Sequence, residues 1–233
     1  MMSNKKTARI AGLLYLGVVI TGIYSLAYVP SKLIVLDDPV TTYNNIKASE
    51  SLFRFGIVGG LLCYVLFLFL PVALYKLLKP VNEVYAKLMV LLALTSVPIS
   101  FMNIQHKFAV LSIIKEEVFK SYTNDQLQSQ VMFCLNQYEQ GILMVSVFWG
   151  LWLLPFGYLV YKSGFLPKIL GVLLMLGCFG YLINFLGNSL IVDYSSLGVS
   201  KYISMPATFG EIGICLWLLI MGAKETKTSV KTL

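Results

Sequence analysis

The stretch FGIVGGLLCYVLFLFLPVALYKL, Phe55–Leu77, decides the fold, because it carries no charged residue from Phe55 to Tyr75. A helix rising about 1.5 Å per residue over that length covers roughly 30 Å, the thickness of a bilayer's hydrocarbon core. Five more apolar stretches lie at Ala8–Val29, Leu88–Ile114, Gly141–Val160, Ile169–Ile191 and Met205–Gly222. In lipid each backbone N–H and C=O must be bonded within its own segment, so these stretches are expected to be helices; a barrel would read as short alternating segments. A composition of 58% hydrophobic and 12% charged residues, with a mean hydropathy of +0.78, agrees. The expected fold is all-α. Six transmembrane helices in three hairpins form one polytopic membrane domain over residues 1–233, with no room for a separate soluble domain.

The net charge of +7 takes its meaning from this topology. Laid out on alternate sides of the membrane, eleven Lys and Arg (Lys5, Lys6, Arg9 and Lys76 among them) fall on one side with Glu83 and Glu225. Seven fall on the other, balanced by seven acidic residues. The richer side is expected to be cytoplasmic, with both termini on it. The basic charge therefore reads as an orientation signal and an attraction to anionic lipid in a plasma (inner) membrane, and nucleic acid is excluded as a partner. The first stretch is too long for a signal h-region and has no clear small-x-small cleavage site, so it reads as a retained helix. Cys63, Cys134, Cys178 and Cys215 lie in or beside spans without CxxC spacing, and read as small buried hydrophobes rather than a disulfide framework.

The expected inner turns, 79–83 and 163–167, are short and punctuated by Pro and Gly. In the first outer loop Asp38-Pro39 offers an N-cap followed by Pro at the first helical position. Val40, Tyr43 and Ile46 follow at spacing three, which predicts a short amphipathic helix on the outer surface near Val40–Ser51. The polar segment Lys115–Gln130 is flanked by helices expected to project beyond the bilayer. The Arg9-Ile10-Ala11-Gly12 and Phe55-Gly56 elements of 8–77 reappear as Lys168-Ile169-Leu170-Gly171 and Phe209-Gly210 within 168–222. These read either as an internal duplication or as chance matching among Gly- and Leu-rich helices.

Several stretches together resemble a known family: Ala8-Arg9-Ile10-Ala11-Gly12-Leu13-Leu14-Tyr15-Leu16, Ser49-Glu50-Ser51-Leu52-Phe53-Arg54-Phe55-Gly56 and Leu74-Tyr75-Lys76-Leu77-Leu78-Lys79-Pro80-Val81-Asn82. Ser163-Gly164-Phe165-Leu166-Pro167-Lys168-Ile169-Leu170-Gly171 and Pro206-Ala207-Thr208-Phe209-Gly210-Glu211 complete the set. The combination is similar to bacterial six-span membrane proteins of the domain-of-unknown-function family 4386. It covers nearly the whole chain, most weakly at Lys115–Gln130 and the C-terminal tail. The resemblance implies fold and topology and carries no activity.

Polar residues inside membranes are expensive, so their placement marks candidate sites. Glu211 is the deepest carboxylate, about eight residues below the expected outer interface, and shares a helix face with Thr208 and Cys215. A charge facing lipid there would cost about 2.5–3.5 kcal/mol, so Glu211 is expected to turn inward and meet Arg54, or a polar group of the third or fifth span. Asn103, His106 and Lys107 mark the third span, and Asn136, Glu139 and Gln140 the fourth. Asn184 and Asn188 mark the fifth, and Thr21, Tyr24, Ser25 and Tyr28 the first. These groups fall in the expected outer half, which fits a polar cavity open to the outside.

Each candidate also has a plainer reading: Glu211–Arg54 as an ion pair fixing helix packing, His106 as a hydrogen-bonding partner at the interface, and Asn184 with Asn188 as interhelical glue. A single histidine excludes a multi-His metal centre, and no metal or cofactor is expected. Gly-x-Ser-x-Gly, HExxH, a Walker motif, a haem-binding His pair and an intramembrane Asp pair are all missing. Glu116-Glu117 resembles the paired glutamates of membrane prenyl-protein proteases, but Lys120 stands where Arg belongs and the His motifs are missing. Catalytic residues are not identified. Three functions stay open: a protein that binds or passes a small polar or amphipathic molecule, an accessory subunit of another membrane protein, or a membrane enzyme using Glu211 or Glu139 with His106.

Overall fold

The computed structural model describes residues 4–115 and 121–223, and every regular element in them is helical. Ten α-helices follow in order: α1 Asn4–Ile23, α2 Val29–Leu33, α3 Pro39–Ala48, α4 Glu50–Leu78, α5 Glu83–Asn103, α6 Gln105–Ile114, α7 Asn124–Leu151, α8 Leu153–Lys162, α9 Lys168–Leu190 and α10 Val199–Ile220. A π-helical turn at Tyr24–Tyr28 joins α1 to α2, and a 3₁₀ turn at Tyr194–Leu197 precedes α10. Among the described residues six helical segments are long and apolar enough to cross a membrane: Asn4–Leu33, Glu50–Leu78, Glu83–Ile114, Asn124–Lys162, Lys168–Leu190 and Val199–Ile220. Each contains or closely tracks one expected span. The chain is an integral, multi-pass membrane protein. Glu116, Glu117, Lys120 and the tail lysines lie outside the described residues.

Two span starts differ most from the sequence reading. The fourth span starts at Asn124 rather than Gly141, because the polar segment before it has its own start signal. The Thr123 hydroxyl accepts from the Gln126 amide at 3.4 Å while the Gln126 side chain accepts from the Thr123 amide at 2.9 Å, a reciprocal capping box. The sixth starts at Val199 rather than Met205, since Lys201 and Ser200 break the apolar run without breaking the helix. Helix α3 forms as its N-cap predicts: Asp38 accepts from the Thr41 amide at 2.9 Å and from the Thr41 hydroxyl at 2.6 Å. Those donated bonds hold the Asp38 carboxyl below the usual carboxylate range. Its buried face is Thr42, Tyr43 and Ile46. Val40, expected on that face, is 51% exposed, because position N2 of this short helix turns away from α2 and α6, on which α3 packs.

The helices build two compact units. Among the described residues the first comprises 4–16, 68–94 and 146–223, and the second 17–67, 95–115 and 121–145. In the first unit the start of α1 runs antiparallel to the end of α10. Arg9 donates to the Ile220 carbonyl at 3.4 Å, placing a cation on the C-terminal end of α10. Ala8 and Ala11 are fully buried, and a Cβ at Gly12 would lie 2.5 Å from the Leu219 nitrogen, so only Gly fits this crossing. Helix α9 packs antiparallel between α8 and α10. On one side Gly157 and Gly171 bring backbones together, and on the other Gly177 faces Ala207. In the second unit the Ser25 hydroxyl, within the π turn, donates to the Gly56 carbonyl at 2.7 Å and ties the first span to α4. All four cysteines are buried and free.

Candidate functional site

The expected polar residues fall into two groups, one in each unit. In the first unit Glu211 lies midway along α10, roughly 18 Å from its Val199 end and 14 Å from its Ile220 end. This is deeper than the sequence reading, since α10 begins earlier than the apolar run. Two phenols hold the carboxylate: Tyr15 on α1 donates to Oε2 at 3.1 Å, and Tyr181 on α9 donates to Oε1 at 3.4 Å. Tyr15 is 1% exposed and fixed against Trp152, the ring centroids 6.3 Å apart. Among the described residues no Lys or Arg comes within ion-pair distance of Glu211.

The partners that the first unit gives Glu211 are thus phenols. Arg54 sits in the second unit and finds its carboxylate one turn back on its own helix, in Glu50, at 2.5 Å. An i, i+4 partner is met at no cost in chain entropy beyond the helix itself, so the exposed Arg54 stays near the start of α4. The fifth span does supply one partner to Glu211, in Tyr181.

A small cleft opens beside Glu211, lined by Tyr181, Ser204, Ala207, Thr208 and Glu211, with a volume of about 90 Å³. Towards the Val199 end of α10 a hydrogen-bonded row continues from it. Asn184 donates to the Ser204 hydroxyl at 2.9 Å and to the Ser200 carbonyl at 3.4 Å, and its Oδ1 accepts from the Tyr194 hydroxyl at 3.0 Å. Asn188, exposed, donates to the Asn184 carbonyl at 2.8 Å. On the other side of Glu211 the Cys215 thiol donates to the Gly12 carbonyl at 3.8 Å.

The second group surrounds Lys107, which is only 4% exposed. Its ammonium lies 4.0 Å from the centre of the Tyr138 ring. Asn103, 6% exposed, donates to the Tyr138 carbonyl at 2.9 Å, and its side chain fills the space where a Cβ at Gly141 would be. The hydroxyls of Tyr64 and Tyr138 are both buried. Asn136, Glu139 and Gln140 face outward from α7. Glu139 makes no hydrogen bond among the described residues, but its carboxylate lies within electrostatic reach of the Lys107 ammonium. His106 is half-buried. Tyr24 stacks on Tyr28, centroids 5.7 Å apart. No group of three or more His, Cys, Asp and Glu able to hold a metal occurs among the described residues.

Sequence reasoning missed Tyr15, Tyr181, Tyr194 and Ser204 as parts of the site. One signal was available. Tyr15 stands deep inside an apolar run, where a phenol is costly unless its hydroxyl has a partner. Four of the five stretches that carry the family resemblance fall in the first unit, and they supply Arg9, Gly12, Tyr15, Thr208 and Glu211.

A family model described as "Domain of unknown function (DUF4386)" matches residues 10–222. A curated relative from Archaeoglobus fulgidus, named "Uncharacterized protein", is 31% identical over 170 residues, covering 73% of this chain and 85% of the relative. No solved structure matches the chain. With the match running from the first span to the end of the sixth, the chain belongs to the DUF4386 family of membrane proteins.

Proposed function

We propose that the protein binds, or passes, a small polar solute at Glu211. One observation carries this reading: a carboxylate midway along a membrane-spanning helix is held by phenols from two other helices and faces an open cleft instead of a counter-charge. The energies point the same way. A charge at that depth costs about 2.5–3.5 kcal/mol on the insertion scale, while an intramembrane hydrogen bond returns about 0.6 and at most about 1.7 kcal/mol. Two phenols offset part of the cost, and a proton or a bound solute on the remaining lone pairs offsets the rest. The cleft of about 90 Å³ holds on the order of three water volumes, well short of the roughly 300–1,000 Å³ of drug-sized sites. The solute is therefore small.

The charge asymmetry of the sequence supports a plasma-membrane orientation with cytoplasmic termini and anionic lipid headgroups against the basic side. Lys5 beside Gly222 supports placing both ends of the chain on one side. In that orientation the row from Asn188 to Glu211 runs inward from the outer face.

The test is native mass spectrometry of wild type and Glu211→Gln extracted gently with their own lipid. It is followed by thermal unfolding with small cations, anions, amines and amino acids. A small adduct or a rise in Tm that Glu211→Gln abolishes supports the reading. Responses indifferent to Glu211→Gln, or co-purification of a second membrane protein with no small adduct, overturn it in favour of an accessory subunit.

A further inference from the structure

We infer that the solute at Glu211 is a monovalent cation, an alkali-metal ion or ammonium. The inference rests on reading Glu211 as a binding site and follows from counting the protons around the cleft. The Ser204 hydroxyl donates to the Ser200 carbonyl at 2.9 Å, and the Thr208 hydroxyl donates to the Ser204 carbonyl at 3.2 Å. The Tyr181 hydroxyl spends its proton on Glu211, and so does Tyr15. Both amide protons of Asn184, the nearest amide along the row, go to Ser200 and Ser204. Ala207, the remaining wall, has no polar side-chain atom.

No side-chain donor is left for a solute; what remains are lone pairs. A carboxylate oxygen has two, and each oxygen of Glu211 uses one on a phenol, so one remains on each. The oxygens of Thr208 and Tyr181 keep further acceptor capacity. An acceptor-only cleft with one carboxylate and no basic group repels anions, and it leaves the donors of a neutral amide or sugar matched but their acceptors unpaired. Hard oxygens in this number suit a hard cation. A single carboxylate neutralises one positive charge, whereas divalent calcium takes six to eight oxygens, usually with several carboxylates. Protons compete for the same lone pairs, so binding weakens as pH falls.

The experiment uses the full chain in detergent or nanodiscs at fixed ionic strength, with N-methylglucamine chloride replaced stepwise by sodium, potassium or ammonium chloride. Thermal unfolding is the readout. At least one of the three is expected to raise Tm saturably, with an apparent affinity that falls several-fold when pH drops by one unit. Glu211→Gln should abolish the rise. Thr208→Val should weaken the affinity several-fold while leaving Glu211 and both phenols in place, which keeps the test decisive if Glu211→Gln fails to fold. The inference is overturned if all three salts match N-methylglucamine, or if the rise survives both substitutions unchanged. A rise with an amino acid or an anion, and none with the three cations, defeats this inference while leaving Glu211 as a binding site. No Glu211-dependent response to any solute defeats both.

Discussion

Glu211 in the first unit and Lys107 in the second are both charged residues drawn into helical packing, and the protein treats them in opposite ways. Lys107 is closed off: 4% exposed, with its ammonium laid on the Tyr138 ring. Glu211 is held at two points and left facing a cleft. The chemistry of the two ions explains the difference. Lys107 has an aromatic face against its ammonium and the Glu139 carboxylate within electrostatic reach, and neither requires a directed bond. A carboxylate needs donors at its lone pairs, and two phenols cannot fill four. Burying the cation yields a packing element. Holding the anion yields a site with capacity to spare.

The largest expected effect breaks the frame around Glu211. Gly12→Leu would drive a side chain into the Leu219 backbone and should destabilise by about 3 kcal/mol, with loss of the cation response. In the second unit Gly22→Ala, whose Cβ meets only the Cys63 sulfur at 3.5 Å, should be nearly silent in thermal unfolding. Equal effects from the two would remove the contrast in packing.

Next is the capped cation. Tyr138→Leu removes the ring from the buried Lys107 ammonium and should cost about 2 kcal/mol. Lys107→Met alone should be close to neutral, since a buried charge gives way to an apolar side chain of similar length. A double-mutant cycle should then show coupling. Additive effects would mean that the ring does not stabilise the ammonium.

Tyr15→Phe comes third. It removes one donor from Glu211 and should lower stability by about 1 kcal/mol, less in a Glu211→Leu background. The same loss in both backgrounds would place the Tyr15 hydroxyl elsewhere. The smallest effect is local and pH-linked. The Asp38 carboxyl is held below its ordinary range by Thr41, so its cap is fully in place above the unfolded carboxylate pKa and is lost as pH falls through the lower folded value. Amide protection within α3, taken relative to the intrinsic exchange rate at each pH, should fall on acidification in wild type and show no such step in Asp38→Asn.

The spans were legible because apolar length is a one-dimensional signal and lipid enforces it along the chain. So was the α3 cap, since Asp38-Pro39 acts on its immediate neighbours. The partner of Glu211 was not. A carboxylate and a guanidinium attract the eye as a pair, although Glu50 stands at the i−4 position of Arg54, where the ion pair forms. The phenols that hold Glu211 come from residues 196 and 30 positions away, and their spacing carries no periodic mark. The start of α10 was misplaced for a related reason. Lys201 interrupts hydropathy but not helicity, and Glu211 consequently lies deeper than a hydropathy count put it.

The most direct measurement is the reaction of Thr208→Cys with small thiol reagents of opposite charge at alkaline pH. Wild type supplies the background, because its four cysteines are buried. Thr208→Cys should react, and a cationic methanethiosulfonate should outpace its anionic counterpart several-fold, attracted by the carboxylate one turn away. Glu211→Gln should erase that preference, and Lys107→Cys should stay unreactive to both reagents. A Thr208→Cys that is as protected as Lys107→Cys, or that reacts with both reagents at equal rates, would contradict an open, negatively charged site at Glu211.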